Sequence, residues 1–245
     1  MGGSMKKQSF ARAAEAFARF YPPYAWIPSA VIPIYNYFVF FGTRLLDRRV
    51  ATTFFQTPLD RLIPFVPFFV LFYVLSYLQW GVGYFLTLRY NRRLCYETLS
   101  VNLIAKTVCL VCFLAFPTVI VRPEVTGGGL WNALVRWIYR VDQPDNLFPS
   151  IHCMASWLSF RAVWKVRELP KSVRISNGVL SLCVFASTVL IKQHYLPDVL
   201  GGILAVELGY LLTRLFCTER LFRALEPSFA KRAPDCYPDV RPTLD

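Results

Sequence analysis

Histidine is almost absent from this chain of 245 residues, which holds only two. Carboxylates are also sparse, with 15 Asp and Glu against 27 Lys and Arg, for a net charge of +12. No acidic cluster is present to gather a divalent cation, so neither a metal nor any other cofactor is expected. Cys109 and Cys112 have zinc-like spacing, but no second Cys/His pair lies near them and their surroundings are apolar. Cys109, Cys112, Cys153 and Cys183 all lie in or beside apolar runs, where cysteine acts as a small hydrophobe, and a disulfide framework is not expected. No cleavable signal peptide is evident, and the opening Met1-Gly2-Gly3-Ser4-Met5 reads as a scar ahead of a native Met5, without the Ser or Thr of a myristoylation signal.

Apolar residues are what the chain has in plenty. Hydrophobic residues make up 55% of it and aromatic residues 16%, with a mean hydropathy of +0.40. Soluble domains of this length are usually less apolar. The apolar residues also come in runs of about 20, enough to cross a bilayer as helices. The expected architecture is all-α, a polytopic membrane protein forming one integral domain over 1–245. Six spanning helices are expected at 25–43, 63–87, 99–121, 149–165, 174–192 and 197–216, a six-helix core over 25–216. Pro28, Pro33, Pro64 and Pro67 are expected as kinks inside the first two. Residues 1–8 read as scar and tail, and 217–245 as a cytoplasmic tail. Over 9–21, Phe10, Ala13, Ala14 and Phe17 share a helical face that Ser9 can cap, which predicts an N-terminal amphipathic helix lying in the interface.

The positive charge is scattered in short loops rather than gathered on one face, which argues for membrane lipids as partners and against nucleic acid. With the N-terminus inside, the cytoplasmic segments hold seventeen Lys and Arg against eight outside. That bias predicts both termini in the cytoplasm, although the 44–61 loop runs against it. The loops at 122–148 and 192–197 then share the outer face, and bring Arg122, His152, His194 and Asp198 to one leaflet.

Both histidines stand in polar motifs at the edges of apolar segments. In Lys192-Gln193-His194-Tyr195-Leu196-Pro197-Asp198, the proline suits the first turn of a helix, and Asp198 lies one turn beyond His194. A carboxylate there can fix the imidazole tautomer and free the other nitrogen as a nucleophile. In Phe148-Pro149-Ser150-Ile151-His152, a helix opens at Ser150, whose hydroxyl and the free amides beyond it make an anion seat. His152 in that turn is placed to protonate a leaving alkoxide. Arg122-Pro123 offers a planar guanidinium for phosphate. Lys106 falls inside the third segment, where an intramembrane cation is a functional candidate, and the favoured expectation is that it snorkels to the cytoplasmic interface. Gly127-Gly128-Gly129 and the stretch Trp131–Arg140 read as a turn and interfacial helix, either a lid or a passive loop.

Arg122-Pro123, then Pro149-Ser150-x-His152, then Ser187-x6-His194-x3-Asp198, in that order across six helices, resembles the type 2 phosphatidic acid phosphatase superfamily of membrane lipid phosphatases and phosphotransferases. The resemblance implies His194 as the nucleophile that forms a phosphohistidine, Asp198 as its orienter and His152 as the proton donor. It implies Arg122, Ser150 and the amide of Ile151 as ligands to the phosphate oxygens, with no metal. The chain departs from the family pattern where Ala115 stands in place of a Lys, Ile151 in place of a Gly and Thr188 in place of an Arg. Lys192 is the expected substitute for one missing cation. The run Asp145–His152 and the motif His194-Tyr195 through Asp198 also look similar to the sphingomyelin and inositol-phosphorylceramide synthases. Three functions stand as expectations: a plasma-membrane lipid phosphatase working at the outer leaflet, a head-group phosphotransferase between lipids, or a non-catalytic lipid-binding or transport protein. Phosphatidic acid, phosphatidylglycerol phosphate, polyprenyl pyrophosphate and sphingolipids all stay open as substrates, and so does the oligomeric state.

Overall fold

The computed structural model describes residues 16–18, 20–46 and 53–231. It is all-helical, with 76% helix and no strands among the described residues. Two isolated bridges, Thr53 to Thr118 and Val119 to Asp145, tie the loops on one side together. The helices are α1 (Trp26–Tyr37), α2 (Thr43–Leu46), α3 (Pro58–Leu62), α4 (Val70–Tyr90), α5 (Arg92–Ala115), α6 (Leu130–Val141), α7 (Ile151–Trp164), α8 (Lys171–Leu190), α9 (Leu196–Phe216), α10 (Thr218–Ala224) and α11 (Ser228–Lys231). A π-helical turn over Phe38–Gly42 joins α1 to α2.

Among the described residues, five stretches are long and apolar enough to cross a membrane: Pro23–Leu45, Pro67–Tyr90, Arg92–Ala115, Lys171–Leu190 and Leu196–Phe216. The expected span at 149–165 differs. It forms α7, whose 14 residues reach about 21 Å at ~1.5 Å each, short of a hydrocarbon core of about 30 Å. This helix is instead the centre of the bundle, packed against α4, α5, α8 and α9. Ten of its residues, from Ile151 to Val163, are buried.

Small and polar residues make that enclosure possible. Lipid supplies no hydrophobic force between helices, so close backbone approach and interhelical hydrogen bonds hold them instead. Gly83 of α4 faces Ser159 of α7 so closely that an added Cβ would fall 2.0 Å from the Ser159 hydroxyl. Trp80 donates to Ser156 at 2.8 Å, and Gln79 to Ser181 at 2.8 Å.

Several boundaries shift from expectation for local reasons. α5 starts well before residue 99, because the Asn91 side chain caps it by accepting from the Leu94 amide at 2.9 Å. It ends at Ala115, ahead of Pro117, so Arg122 stands in the following loop and not at a helix end. Of the four prolines expected as kinks, Pro33 alone is interior to a helix. Pro28 lies in the first turn of α1, Pro64 precedes α4, and Pro67 opens a 3₁₀ turn, Pro67–Phe69. Lys106 does not snorkel. It is 1% exposed inside the bundle and donates to the Asn36 side chain. The 217–245 segment is helical in part, and Arg92 pairs with Glu226 at 3.0 Å, docking it onto the start of α5. Most of the amphipathic helix expected at 9–21 lies outside the described residues; 16–18 and 20 are helical.

Candidate functional site

His194 is positioned by the way α8 ends. The amide of Gln193 donates to the Thr188 carbonyl at 2.9 Å and that of Lys192 to the Val189 carbonyl at 3.1 Å. With Lys192 in the left-handed region at φ +53°, this is a Schellman end, a place usually given to glycine. The His194 amide also donates to the Thr188 carbonyl, at 3.0 Å, so Thr188 anchors the whole turn. α3 braces it from outside. Asp60, held in a capping box with Thr57, accepts from the Leu196 amide at 2.8 Å. The Lys192 ammonium donates to the backbone carbonyls of Asp60 and Ile63, at 3.3 and 2.6 Å.

Asp198 opens α9 with its side chain turned back on the chain. One carboxylate oxygen accepts from the Tyr195 amide at 2.9 Å and lies 3.3 Å from His194 Nδ1. An ionised carboxylate only accepts, so Nδ1 carries the proton and Nε2 keeps its lone pair. The other oxygen, Oδ1, is buried and has no hydrogen-bond donor. Asp198 itself is fully enclosed.

His152, in the first turn of α7, sits in an aromatic cage from α4. Tyr73 stacks on it at 4.1 Å between ring centres, and Trp80 lies 5.1 Å away. Its Nδ1 is 3.3 Å from the Tyr73 hydroxyl and its Nε2 is 3.3 Å from that of Tyr77. Tyr73 gives its one proton to Asp142 in a short hydrogen bond, so it accepts from His152 Nδ1–H. The two imidazoles thus have the same polarity, each with Nδ1–H directed toward a carboxylate, His194 directly and His152 through Tyr73. Their ring centres are 6.3 Å apart.

Both rings line one cleft of about 300 Å³. Ile151, Gln193, Asp142 and Asp145 line it too, as do Tyr77 and Trp80. Ser150 is buried beneath it. Its amide donates to the Asp198 carbonyl and its hydroxyl accepts from Cys153 at 3.3 Å, capping α7. With the amides of Ser150, Cys153 and Met154 bonded, the first-turn amides that an anion can meet are those of Ile151 and His152.

Of the four expected phosphate ligands only Ile151 lines this cleft; Ser150 is enclosed and its hydroxyl caps α7, and Lys192 and Arg122 also stand apart. Lys192 is not among its lining residues, since its ammonium is drawn to the carbonyls beside α3. Arg122 is one layer behind the wall. It donates to the carbonyls of Tyr139 and Asp142, at 3.2 and 2.7 Å, and to the Gln193 side chain. Its guanidinium lies over the Tyr139 ring at 4.6 Å. Burial draws the Arg122 guanidinium below its ordinary value, and the nearby Asp142 carboxylate opposes that. Burial pushes the Tyr139 hydroxyl up to about 12, so it remains a donor, here to the Ile191 carbonyl at 2.7 Å.

Tyr73, Tyr77, Trp80, Asp142 and Gln193 are the site residues that motif reading passed over. The first three recur at helical spacing on one face of α4, a polar-tipped aromatic stripe that is legible once a helix is assumed. Asp142 has no local signature. Among the described residues no group of three His, Cys, Asp or Glu side chains is arranged to hold a metal ion. Comparison with known protein families, curated proteins and solved structures gave no match.

Proposed function

We propose that this chain is an integral membrane lipid phosphatase that works through a phosphohistidine at His194. The observation that carries the reading is the pair of imidazoles, 6.3 Å apart on one cleft with their Nδ1 atoms both committed. Two contacts of about 3 Å, one to phosphorus and one to the leaving oxygen, fit that separation. His194 Nε2 attacks the phosphorus, a P–N bond forms, and the bond to the lipid oxygen breaks. His152, which takes up a second proton, on Nε2, when the phosphate anion binds beside it, gives that proton to the departing alkoxide. Water then attacks the same phosphorus, neutral His152 takes its proton, and the P–N bond breaks. Asp198, with one oxygen unpartnered, stabilises the positive charge that His194 acquires.

The amides of Ile151 and His152 receive phosphate oxygens, with Ser150 fixing the turn that presents them. Arg122 serves from behind by holding Gln193 in the cleft wall. In this reading α7 is the sixth membrane-embedded helix, sheltered by its neighbours. The charge bias along the sequence supports cytoplasmic termini and a site at the outer leaflet, in this reading that of the plasma membrane.

One observation favours a second reading, head-group transfer between lipids. Arg122 and Lys192 are both engaged elsewhere, while Asp142 and Asp145 line the cleft. Such a cleft suits a phosphodiester with one charge better than a monoester with two. A single assay separates the two readings. Purified protein in EDTA is given a lipid phosphate, or a phosphodiester lipid with a diacylglycerol or ceramide acceptor. Release of inorganic phosphate supports the phosphatase, and a new phospholipid supports transfer. Either product must vanish in His194→Ala, and unchanged turnover in that variant defeats both readings.

A further inference from the structure

A second cavity of about 310 Å³ lies beside the cleft and shares Asn36 and Trp80 with it as common walls. Its sides are apolar, built from Ile32 and Pro33 of α1, Tyr84 and Phe85 of α4, and Ala155 of α7. Pro33 and Gly81 are both lining residues and exposed, so the cavity opens between α1 and α4 on the outside of the bundle. At its inner end is Lys106, 1% exposed, with Asn102 one turn before it on α5. The Lys106 ammonium has three N–H groups, and its hydrogen bond is to the neutral Asn36 side chain. No carboxylate pairs with it among the described residues, and no acidic residue lines the cavity. Asn102 is 1% exposed and its Oδ1 has no partner.

An ammonium held by one neutral partner in an apolar bundle is costly, which makes it a candidate binding group. We propose that Lys106, with Asn36, is a specificity seat for the ester linkage of an acyl phospholipid whose chains lie in the cavity between α1 and α4. The inference rests on the lipid reading of the histidine cleft and names its substrate class. A lipid whose phosphate is at His194 passes the wall shared by the two cavities at Asn36. The ester linkage stands next to the phosphate along such a lipid, and its carbonyl oxygens accept the N–H groups that Asn36 leaves unused. The rest of the wall is mostly apolar, and the Tyr21 and Ser29 hydroxyls in it bond each other, which suits acyl chains entering from the bilayer. A polyprenyl phosphate has no such carbonyls and gains nothing from the ammonium.

The test uses the full chain in bilayers with a diacyl phospholipid carrying a diazirine on its chain. Photolabelling should map to residues lining the α1–α4 cavity, persist in His194→Ala, and fall at least fivefold in Gly81→Leu. A Cβ at Gly81 meets nothing within 4 Å, and leucine favours a helix, so that variant fills the cavity without straining the fold. In a parallel activity arm, ester-linked lipid should exceed its ether-linked analogue and polyprenyl phosphate by about tenfold in kcat/KM, and Lys106→Met should erase the preference. Lys106→Met should also raise Tm, because an unpaired buried charge is replaced by a packed side chain. A lysine that served structure alone would lower it. Labelling outside this cavity, labelling unchanged in Gly81→Leu, or an ester preference that survives Lys106→Met overturns the proposal. If no lipid is turned over while labelling maps as expected, the catalytic reading fails and the acyl-chain site stands.

Discussion

The amide of Ser150 donates to the carbonyl of Asp198 at 3.0 Å, joining the first turn of α7 to the first turn of α9. One helix carries His152 and the other begins just after His194, so this backbone bond sets how far apart the imidazoles stand. The approach is close because Gly202 has no side chain. A Cβ there would fall 2.6 Å from the Ser150 carbonyl oxygen and 2.9 Å from the Met154 amide.

Gly202→Ala should therefore wedge α7 from α9. Backbone atoms cannot swing aside as a flexible side chain can, so the cost is at the upper part of the usual overpacking range, about 1–3 kcal/mol. Activity should drop about a hundredfold, as expected for displacement of reacting groups by about 1 Å. Thermal unfolding in detergent, alongside kcat on the identified lipid, checks both.

Asp198→Asn should spare the fold and lose the reaction. Its amide oxygen can still accept from the Tyr195 amide, which Asp198 does at 2.9 Å. The negative charge beside His194 is gone, and kcat should fall by about a hundred- to ten-thousandfold. A variant with near-normal kcat would show that Asp198 is only a cap.

Tyr73→Phe cuts the path from His152 Nδ1 to Asp142 while keeping the stacked ring. The imidazole loses the partner that fixes its tautomer, and an Asp142 carboxylate oxygen loses a donor. We expect kcat down by about tenfold or more with little change in KM, measured at saturating and limiting lipid.

Lys192→Gly and Arg122→Lys should part company. Glycine at 192 suits the left-handed turn, and the lost ammonium served the carbonyls beside α3, so activity should stay within about twofold of the parent. Lysine at 122 cannot reproduce the fork that reaches Tyr139, Asp142 and Gln193 at once. It should destabilise by about 1.5–3 kcal/mol and weaken activity through Gln193. Comparison of Tm and kcat/KM for the two variants checks this. Strong loss in Lys192→Gly would restore that residue to phosphate binding.

The helical, membrane-type character of the chain was legible in its sequence because long apolar runs have few other uses. The number of spans was less so. An apolar segment reads alike whether it faces lipid or is enclosed by other helices, and α7 proved to be a short enclosed one. The spacing of His194 and Asp198 translated directly into a contact, since residues one turn apart at a helix start are neighbours. Arg122 and Lys192 did not, because a long side chain can reach carbonyls in any direction and spacing says nothing of which. Lys106 was misplaced for a similar reason: the pull to snorkel was visible, and the Asn36 partner on another helix was not.

The most direct test of the account is to trap the covalent intermediate. The protein is mixed with the lipid it turns over, quenched at alkaline pH where phosphohistidine survives, digested and mapped by mass spectrometry. Phosphorylation is expected on His194 alone, and absent from His194→Ala. A phosphoryl group on any other residue, or turnover with His194 unmodified throughout, would contradict it.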